Sequence, residues 1–289
     1  MDGFTYEPVE GLRSPVVVMA FMGWSDTGTV TVDAARHLVE TYDAESFLTV
    51  DPEDYYVFTD TRPMVSIDDD GERVLSWPEN EAFYARMPTA DHDLVVISGV
   101  EPNLRWKTFS DRLSDAIVAC NPSLVCTLVA RPAATPHTRP IPVTGSSADS
   151  ELVSRFGLGR SMYQGPTGII GVLHDTLRRR EIPLLSLAAG VPHYLNVAEN
   201  PPATMALLKA LHPMLGFTPP VDELEREGVQ FVEKVEEASA GDGQIGEYVR
   251  TLEQQYGESG PPEPDSEGSE LSADDVIRDV EDLLRGSGD

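Results

Sequence analysis

The sequence predicts an α/β protein with a mainly parallel sheet and a helical C-terminal extension. Three observations lead to this prediction: short apolar runs typical of strands buried on both faces, amphipathic stretches of helical period between them, and a highly charged final quarter. The apolar runs lie at residues 15–20, 93–98, 122–129 and 184–190. Strands that alternate with helices in this way form right-handed βαβ units, which build a mainly parallel sheet.

The first quarter of the chain predicts a strand, a loop, a helix and then a hairpin. The strand at 15–20 leads into Phe21-Met22-Gly23-Trp24-Ser25-Asp26-Thr27-Gly28, and a helix is expected at 30–42 and a second strand at 46–50. Residues 64–67 and 73–77 are β-like runs around an acidic Asp-Gly turn, which indicates a hairpin. A calcium loop is the alternative for this turn, but the spaced ligands and closing glutamate are missing. A solvent-exposed hairpin is therefore favoured.

The rest of the core predicts further helices, followed by an appended segment. Amphipathic or helix-compatible stretches lie at 104–120, 150–157 and 167–180, and proline opens a last core helix that runs from 201 to 215. We assign 1–219 to the α/β core, 220–257 to a charged helical extension, and 258–289 to an acidic linker and a terminal amphipathic helix. Helices are expected in the extension at 221–238 and 244–256. The apolar stripe of the terminal helix consists of Val276, Ile277, Val280, Leu283 and Leu284.

Composition excludes several classes of function. The 289 residues carry a formal net charge of -28, and 220–289 alone hold 21 acidic and five basic side chains. Because such a field repels phosphate groups, neither nucleic acid nor an anionic membrane surface is an expected partner. The two cysteines, Cys120 and Cys126, lie in apolar surroundings and indicate buried thiols. Without a leader pattern or a long apolar span, a cytoplasmic location is expected.

Candidate ligand-binding residues follow the predicted strands. The carboxyl ends of parallel strands meet at one rim of a sheet, where α/β proteins bind ligands. A pocket there would offer carboxylates, an imidazole, an amide and aromatic walls to a nucleoside-like or small polar compound. No metal or cofactor is expected, because zinc-ligand spacing is absent, and a serine nucleophile is not indicated because Gly-x-Ser-x-Gly is absent. The candidate residues are Gly23, Trp24, Asp26, Glu101, Asn103, Arg139, His193 and Asn196.

A structural role is the alternative for each candidate. Asp26 could cap the following helix, and Trp24 could pack the loops together. His193 follows an apolar strand and could act as a general base, or its ring could hold the loop by donating to a backbone carbonyl. His137 carries the same ambiguity. Gly165-Pro166-Thr167-Gly168 could present N–H groups to an anion, or form a turn and a helix start.

Five sequence blocks occur in this order: Phe21-x-Gly23-Trp24-x-Asp26-x-Gly28, Gly99-Val100-Glu101-Pro102-Asn103-x-x-Trp106, Pro136-His137-Thr138-Arg139-Pro140, Gly165-Pro166-Thr167-Gly168-Ile169-Ile170-Gly171 and Val191-Pro192-His193-Tyr194. Together they resemble the proteasome assembly chaperone 2 family, in its bacterial branch. The resemblance covers residues 15–256 and implies a three-layer α/β core similar to that of purine nucleoside phosphorylases, with assembly into an oligomer. Eukaryotic and archaeal relatives assist assembly of the proteasome α-ring. The sequence ends Gly286-Ser287-Gly288-Asp289, which departs from the hydrophobic-Tyr-any ending that some of these chaperones insert between α subunits.

The expected function is therefore that of a non-enzymatic protein-assembly factor or chaperone-like scaffold. Its expected partners are further copies of the chain and other proteins such as proteasome subunits. The alternative is a small-molecule binding protein, or a hydrolase- or phosphorylase-like enzyme, that uses the rim. A third hypothesis is a homo-oligomeric structural protein whose rim residues only join subunits.

Overall fold

The computed structural model describes residues 3–68, 70–161, 163–195, 197–240 and 243–260. Within these ranges a nine-stranded sheet is covered by helices on both faces, and a separate two-stranded hairpin is attached. The strands are β1 Phe4–Tyr6, β2 Val16–Met22, β3 Glu45–Val50, β4 Met64–Ile67, β5 Arg73–Ser76, β6 Asn80–Ala85, β7 Leu94–Val100, β8 Leu124–Ala133, β9 Val143–Ser147, β10 Gly159–Arg160 and β11 Leu184–Pro192. The helices are α1 Val30–Thr41, α2 Trp106–Ala119, α3 Ser150–Phe156, α4 Ile169–Arg179, α5 Pro201–Ala210, α6 His212–Leu215, α7 Asp222–Ala240 and α8 Gly243–Ser259.

The middle of the sheet is parallel and its flanks are mostly antiparallel. The strand order is β1-β3-β6-β7-β2-β8-β11-β9-β10. β2 pairs in parallel with β7 and β8, and β8 pairs in parallel with β11. β6 lies antiparallel between β3 and β7, and β9 runs antiparallel to β11. The α/β fold is confirmed, and the four parallel strands in the middle of the sheet are those that the continuous apolar runs predict.

The sheet has a hydrophobic core on each face, which gives the fold three layers. Successive residues of β2 alternate between these cores, as a strand buried on both faces requires. Val16, Val18 and Ala20 pack with α1 and α5, whereas Val17, Met19 and Phe21 pack with α2 and α4. The rim loops therefore emerge from strands that are held on both sides.

Four strands and one helix break were not predicted. β1, β6, β9 and β10 are short or lack the apolar runs that identify the central strands. The predicted helix from Pro201 to Leu215 is wrong in its continuity, because it divides into α5 and α6 at Leu211. Pro213 lies in the first turn of α6, where the missing N–H leaves no hydrogen bond broken.

The C-terminal extension consists of α7 and α8. Both helices lie where the charged sequence predicts them, and Lys209 of α5 forms an exposed 2.8 Å ion pair with Glu225 of α7. The predicted terminal amphipathic helix lies outside the described residues. Across the described ranges, no helix combines the length and the apolar character needed to cross a lipid bilayer.

Candidate functional site

The loop after β2 turns sharply at Gly23. Its φ of +132° lies in the region that favours glycine, and a Cβ atom there would lie 2.9 Å from Cβ of Glu101. The N–H of Asp26 donates to the carbonyl of Gly23 across 3.1 Å, which closes the turn. Trp24, at the outside of this turn, is 55% exposed. The glycine therefore allows the β2 loop to lie directly against the residue that follows β7.

Asp26 caps the start of α1. Its Oδ1 accepts hydrogen bonds from the N–H groups of Thr27, at 2.9 Å, and Thr31, at 3.0 Å. Oδ2 is buried and has no hydrogen-bond partner within the described residues. Burial raises the pKa of this carboxyl to about 6, although hydrogen bonds from the start of α1 and from the loop oppose the rise. The geometry is that of the capping role, with one carboxylate oxygen left over.

Glu101 occupies the start of α4 in the same manner. Its Oε2 accepts from the N–H of Ile169, the first residue of α4, at 2.9 Å. Burial raises the pKa of Glu101, and the hydrogen bond from Ile169 opposes that rise. A Cβ atom at Gly168 would lie 2.7 Å from Oε2 of Glu101 and 3.0 Å from Cδ1 of Trp24. At the helix start that follows Gly165-Pro166-Thr167-Gly168, the first N–H of α4 thus already binds a carboxylate of the protein itself.

Asn103 holds a different loop. Its Oδ1 accepts from the N–H of Val57 at 2.9 Å and from Oγ1 of Thr61 at 3.0 Å. Its own N–H donates to the carbonyl of Tyr55. Asn103 therefore fixes the segment that leads towards the β4–β5 hairpin.

His193 joins the end of β8 to α8. Its backbone N–H and its Nδ1 both lie within hydrogen-bond distance of the carbonyl of Ala133, at 3.1 and 2.9 Å. Since a carbonyl only accepts, Nδ1 carries the proton and Nε2 accepts from the hydroxyl of Tyr248 at 2.9 Å. The ring of His193 thus holds the loop by donating a hydrogen bond to a backbone carbonyl. This is the structural role that stood as the alternative to a general base.

His137 lies in the same cluster and is also engaged. The hydroxyl of Tyr194 accepts from the backbone N–H of His137 and lies 2.7 Å from its Nδ1, to which it donates. Nε2 is buried without a partner within the described residues, and burial lowers the pKa of the ring against the opposing charges of Glu236 and Glu253. Thr138 donates to Glu253 of α8 at 2.5 Å. We call His137, Thr138, His193, Tyr194, Tyr248 and Glu253 the α8 clasp.

Sequence reasoning missed the clasp because its members are far apart in the chain. Tyr194, Tyr248 and Glu253 are not among the candidates, although all three fall inside the resembling region and Tyr194 ends one of the five blocks. The spacing of Tyr248, Leu252 and Tyr256 along one side of α8 is the signal that could have found its inner face, because residues four apart share a helix face. Leu252 is buried, and the hydroxyl of Tyr256 donates to the carbonyl of Pro140 at 3.2 Å.

The candidates fall into separate groups. Gly23, Trp24 and Glu101 meet at the start of α4, and Asp26 lies at the start of α1. His193 belongs to the α8 clasp, Asn103 holds residues 55–61, and Asn196 lies outside the described residues. Whether any of them binds a ligand stays a prediction. Within the described ranges, no group of three His, Cys, Asp or Glu side chains is placed to hold a metal ion.

Arg139 is exposed and lines an open groove of about 880 Å³. The groove lies between the loop at 137–143, α5 and α7, and we call it the rim groove. Its apolar lining includes Ile141, Met205 and Val229, and Val229 is 60% exposed. A second groove, of about 440 Å³, lies at the base of the β4–β5 hairpin and includes Met22 and Trp77.

Comparisons with known proteins agree on one family. The family model described as PAC2 family matches residues 20–239. A PAC2 family protein from Streptomyces avermitilis is similar at 37% identity and a TM-score of 0.73, with 81% of this chain and 99% of that chain covered. The proteasome-assembly chaperone homologue Rv2125 of Mycobacterium tuberculosis is similar at 38% identity and a TM-score of 0.72, with the same coverage. The archaeal proteasome activator PbaB of Pyrococcus furiosus shares the fold at 17% identity and a TM-score of 0.65, with 83% and 100% covered. No curated protein matches the sequence.

Proposed function

Because the chain belongs to the PAC2 family, we propose that it is a non-enzymatic, chaperone-like protein-assembly factor that acts in the cytoplasm. A structure 38% identical to it is that of a proteasome-assembly chaperone homologue, which supports an assembly role. The proposed partners are proteasome subunits of the α type, and the proposed working form is a homo-oligomer. The other candidate side chains at the rim serve the fold, and the partner binds in the rim groove that Arg139 lines.

The observation that carries this proposal is the rim groove. Val229 lies on α7 with 60% of its surface exposed, beside Ile141 and Met205, in a groove of about 880 Å³. An exposed apolar groove between helices is the surface into which an amphipathic segment of another protein packs. Small-molecule pockets, in contrast, enclose most of the ligand surface. The groove is therefore suited to a protein segment.

Charge adds to the argument for this groove. The whole chain carries a net charge of -28, which repels an acidic partner at long range. In the groove, Arg139 and Lys209 balance Glu225 and Glu233, so that the lining of the groove adds no net charge to this repulsion. We infer that the rim groove takes an apolar segment of a proteasome α-type subunit.

A binding assay with purified α-type subunits tests the proposal. Full-length protein is immobilised beside Val229→Asp and the control Val118→Asp, which replaces a 40% exposed valine on α2, away from the groove. The wild type and the control should retain the subunit in stoichiometric amount, and Val229→Asp at least tenfold less. Absence of binding to the wild type, or equal binding by all three proteins, would contradict the proposal.

A further inference from the structure

The β4–β5 hairpin exposes large apolar side chains on both of its faces. Every residue of both strands is exposed. The register pairs Val65 with Leu75 and Ser66 with Val74, so that Val65, Ile67 and Leu75 share one face and Met64 and Val74 the other. Together with Met22 and Trp77, these residues form what we call the hairpin surface, and each is between 37% and 69% exposed.

A two-stranded hairpin of this kind has little stability on its own. Isolated hairpins are marginally stable in water, and they need a third strand or a packed face. Here the ring of Trp77 packs against Phe58 at a centroid distance of 4.7 Å, which anchors only the base. The apolar faces beyond this base have no cover among the described residues. Such a surface calls for an occupant that is always present.

The exposed area matches one side of a stable protein interface. At about 150–200 Å² for a large side chain, the exposed fractions of the seven residues sum to roughly 500–700 Å² of apolar surface. A standard interface buries about 800 Å² per partner, about 60% of it apolar, which gives about 500 Å². A neighbour that enclosed both faces of the hairpin would therefore bury the apolar share of a full interface.

The same region also offers the shape that a second hairpin requires. The groove of about 440 Å³ at the base of the hairpin is lined by Met22, Val100 and Phe83 as well as by Met64 and Trp77. The projecting apolar hairpin thus lies beside an apolar groove on the same chain. Elements that are complementary to each other on one surface are the basis of homo-oligomers.

We propose that a second copy of this chain covers the hairpin surface, with the hairpin of one copy packed into the groove at the base of its neighbour's hairpin. The inference rests on the proposed homo-oligomeric state and adds the surface that forms it. A second copy is always present at equal concentration, whereas a client that binds transiently would leave the hairpin exposed to aggregation. Self-association and partner binding then use different surfaces, the hairpin and the rim groove.

Sedimentation velocity of the full-length chain between 1 and 50 μM tests the inference. The disruptive variant is Val65→Asp/Leu75→Asp, whose two side chains lie opposite each other. The control is Val118→Asp/Ile245→Asp, which adds the same charge at exposed valine and isoleucine side chains on α2 and α8. The wild type and the control should sediment as a multiple of 31.5 kDa. The hairpin variant should sediment as the monomer, with self-association at least 100-fold weaker.

A second variant and a second measurement keep the test decisive. Ile67→Glu alters one exposed side chain near the tip, and it should also weaken self-association while the thermal unfolding midpoint of the chain is retained. If the wild type is a monomer at 50 μM, both the oligomer and this inference fail. If the wild type is oligomeric and both hairpin variants remain so, the inference fails while the proposed assembly role stands. Binding of α-type subunits, measured separately through Val229→Asp, reports on that role.

Discussion

The substitution Asp26→Asn tests how the buried carboxylate at the start of α1 affects stability. The carboxamide keeps an oxygen to accept from Thr27 and Thr31, and it removes the charge that burial disfavours. The pKa of Asp26 is raised from 3.8 to about 6 in the folded protein. At 1.4 kcal/mol per pKa unit, ionised Asp26 costs the folded state about 3 kcal/mol at alkaline pH.

The sign of the pH dependence follows from proton binding. Between pH 3.8 and about 6 the folded state holds the proton of Asp26 more tightly than the unfolded state does. The free energy of unfolding of the wild type therefore falls as the pH rises through this range, and the cost is complete above it. Between pH 5 and pH 8 the contribution of Asp26 should fall by about 1–2 kcal/mol, and Asp26→Asn should lack this change.

Urea unfolding of both proteins at pH 5 and pH 8 measures the effect. The difference in unfolding free energy, variant minus wild type, should be about 1–2 kcal/mol more positive at pH 8 than at pH 5. Comparing this difference at two pH values removes the constant cost of placing an amide where Oδ2 has no partner. Thr29→Ser, a nearby change that alters no charge, serves as control. A difference that is the same at both pH values would refute the argument from burial.

Three further predictions concern the rim. Gly168→Ala should lower the free energy of unfolding by about 1–3 kcal/mol, because its Cβ atom would meet Glu101 and Trp24, whereas Gly257→Ala, which has open space in α8, should be neutral or stabilising in the same urea titration. Tyr248→Phe removes the hydrogen bond to His193 and should cost about 1 kcal/mol, seen as faster hydrogen exchange in α8, and unchanged exchange there would contradict the clasp. Burial lowers the pKa of His137 in the folded protein, so the stability that the neutral ring contributes is present above the ordinary pKa of histidine and is lost as the pH falls through the folded pKa. Hydrogen exchange in α8, corrected for intrinsic rates, should therefore be faster at pH 5.5 than at pH 7.5. His137→Gln should reduce that difference.

The sequence could predict the centre of the fold but not all of its edges. The central strands β2, β7, β8 and β11 are buried on both faces, and burial on both faces requires a continuous run of apolar residues. β6, in contrast, reads Asn-Glu-Ala-Phe-Tyr-Ala, with two small residues and no β-branched residue, and its place between β3 and β7 comes from pairing with strands distant in the chain. The hairpin was predictable because its turn is local.

The rim shows the same division between local and distant causes. That Gly23, Asp26 and Glu101 follow strands could be read from the sequence, and the capping role of Asp26 involves residues only five positions apart. The partner of Glu101 lies 68 positions away, and the bond between Thr138 and Glu253 spans 115 positions. The hydrophobic periodicity of a single segment does not indicate which distant residue a side chain will contact. The sequence therefore predicts that the extension is helical but does not predict the part of the core against which it packs.

The place of the hairpin in the sheet has an evolutionary consequence. β3 and β6 are adjacent antiparallel strands, with Thr49 opposite Glu81, so the chain leaves the sheet and returns to it at neighbouring positions. Tyr55 and Tyr56, at the start of the segment that connects β3 to β6, are buried in the core, whereas both hairpin strands lie outside the core. Insertions, deletions or exchanges confined to the hairpin thus leave the sheet register intact. Under the proposed self-association, a change confined to this peripheral segment would alter the contact between copies while the rest of the architecture is retained.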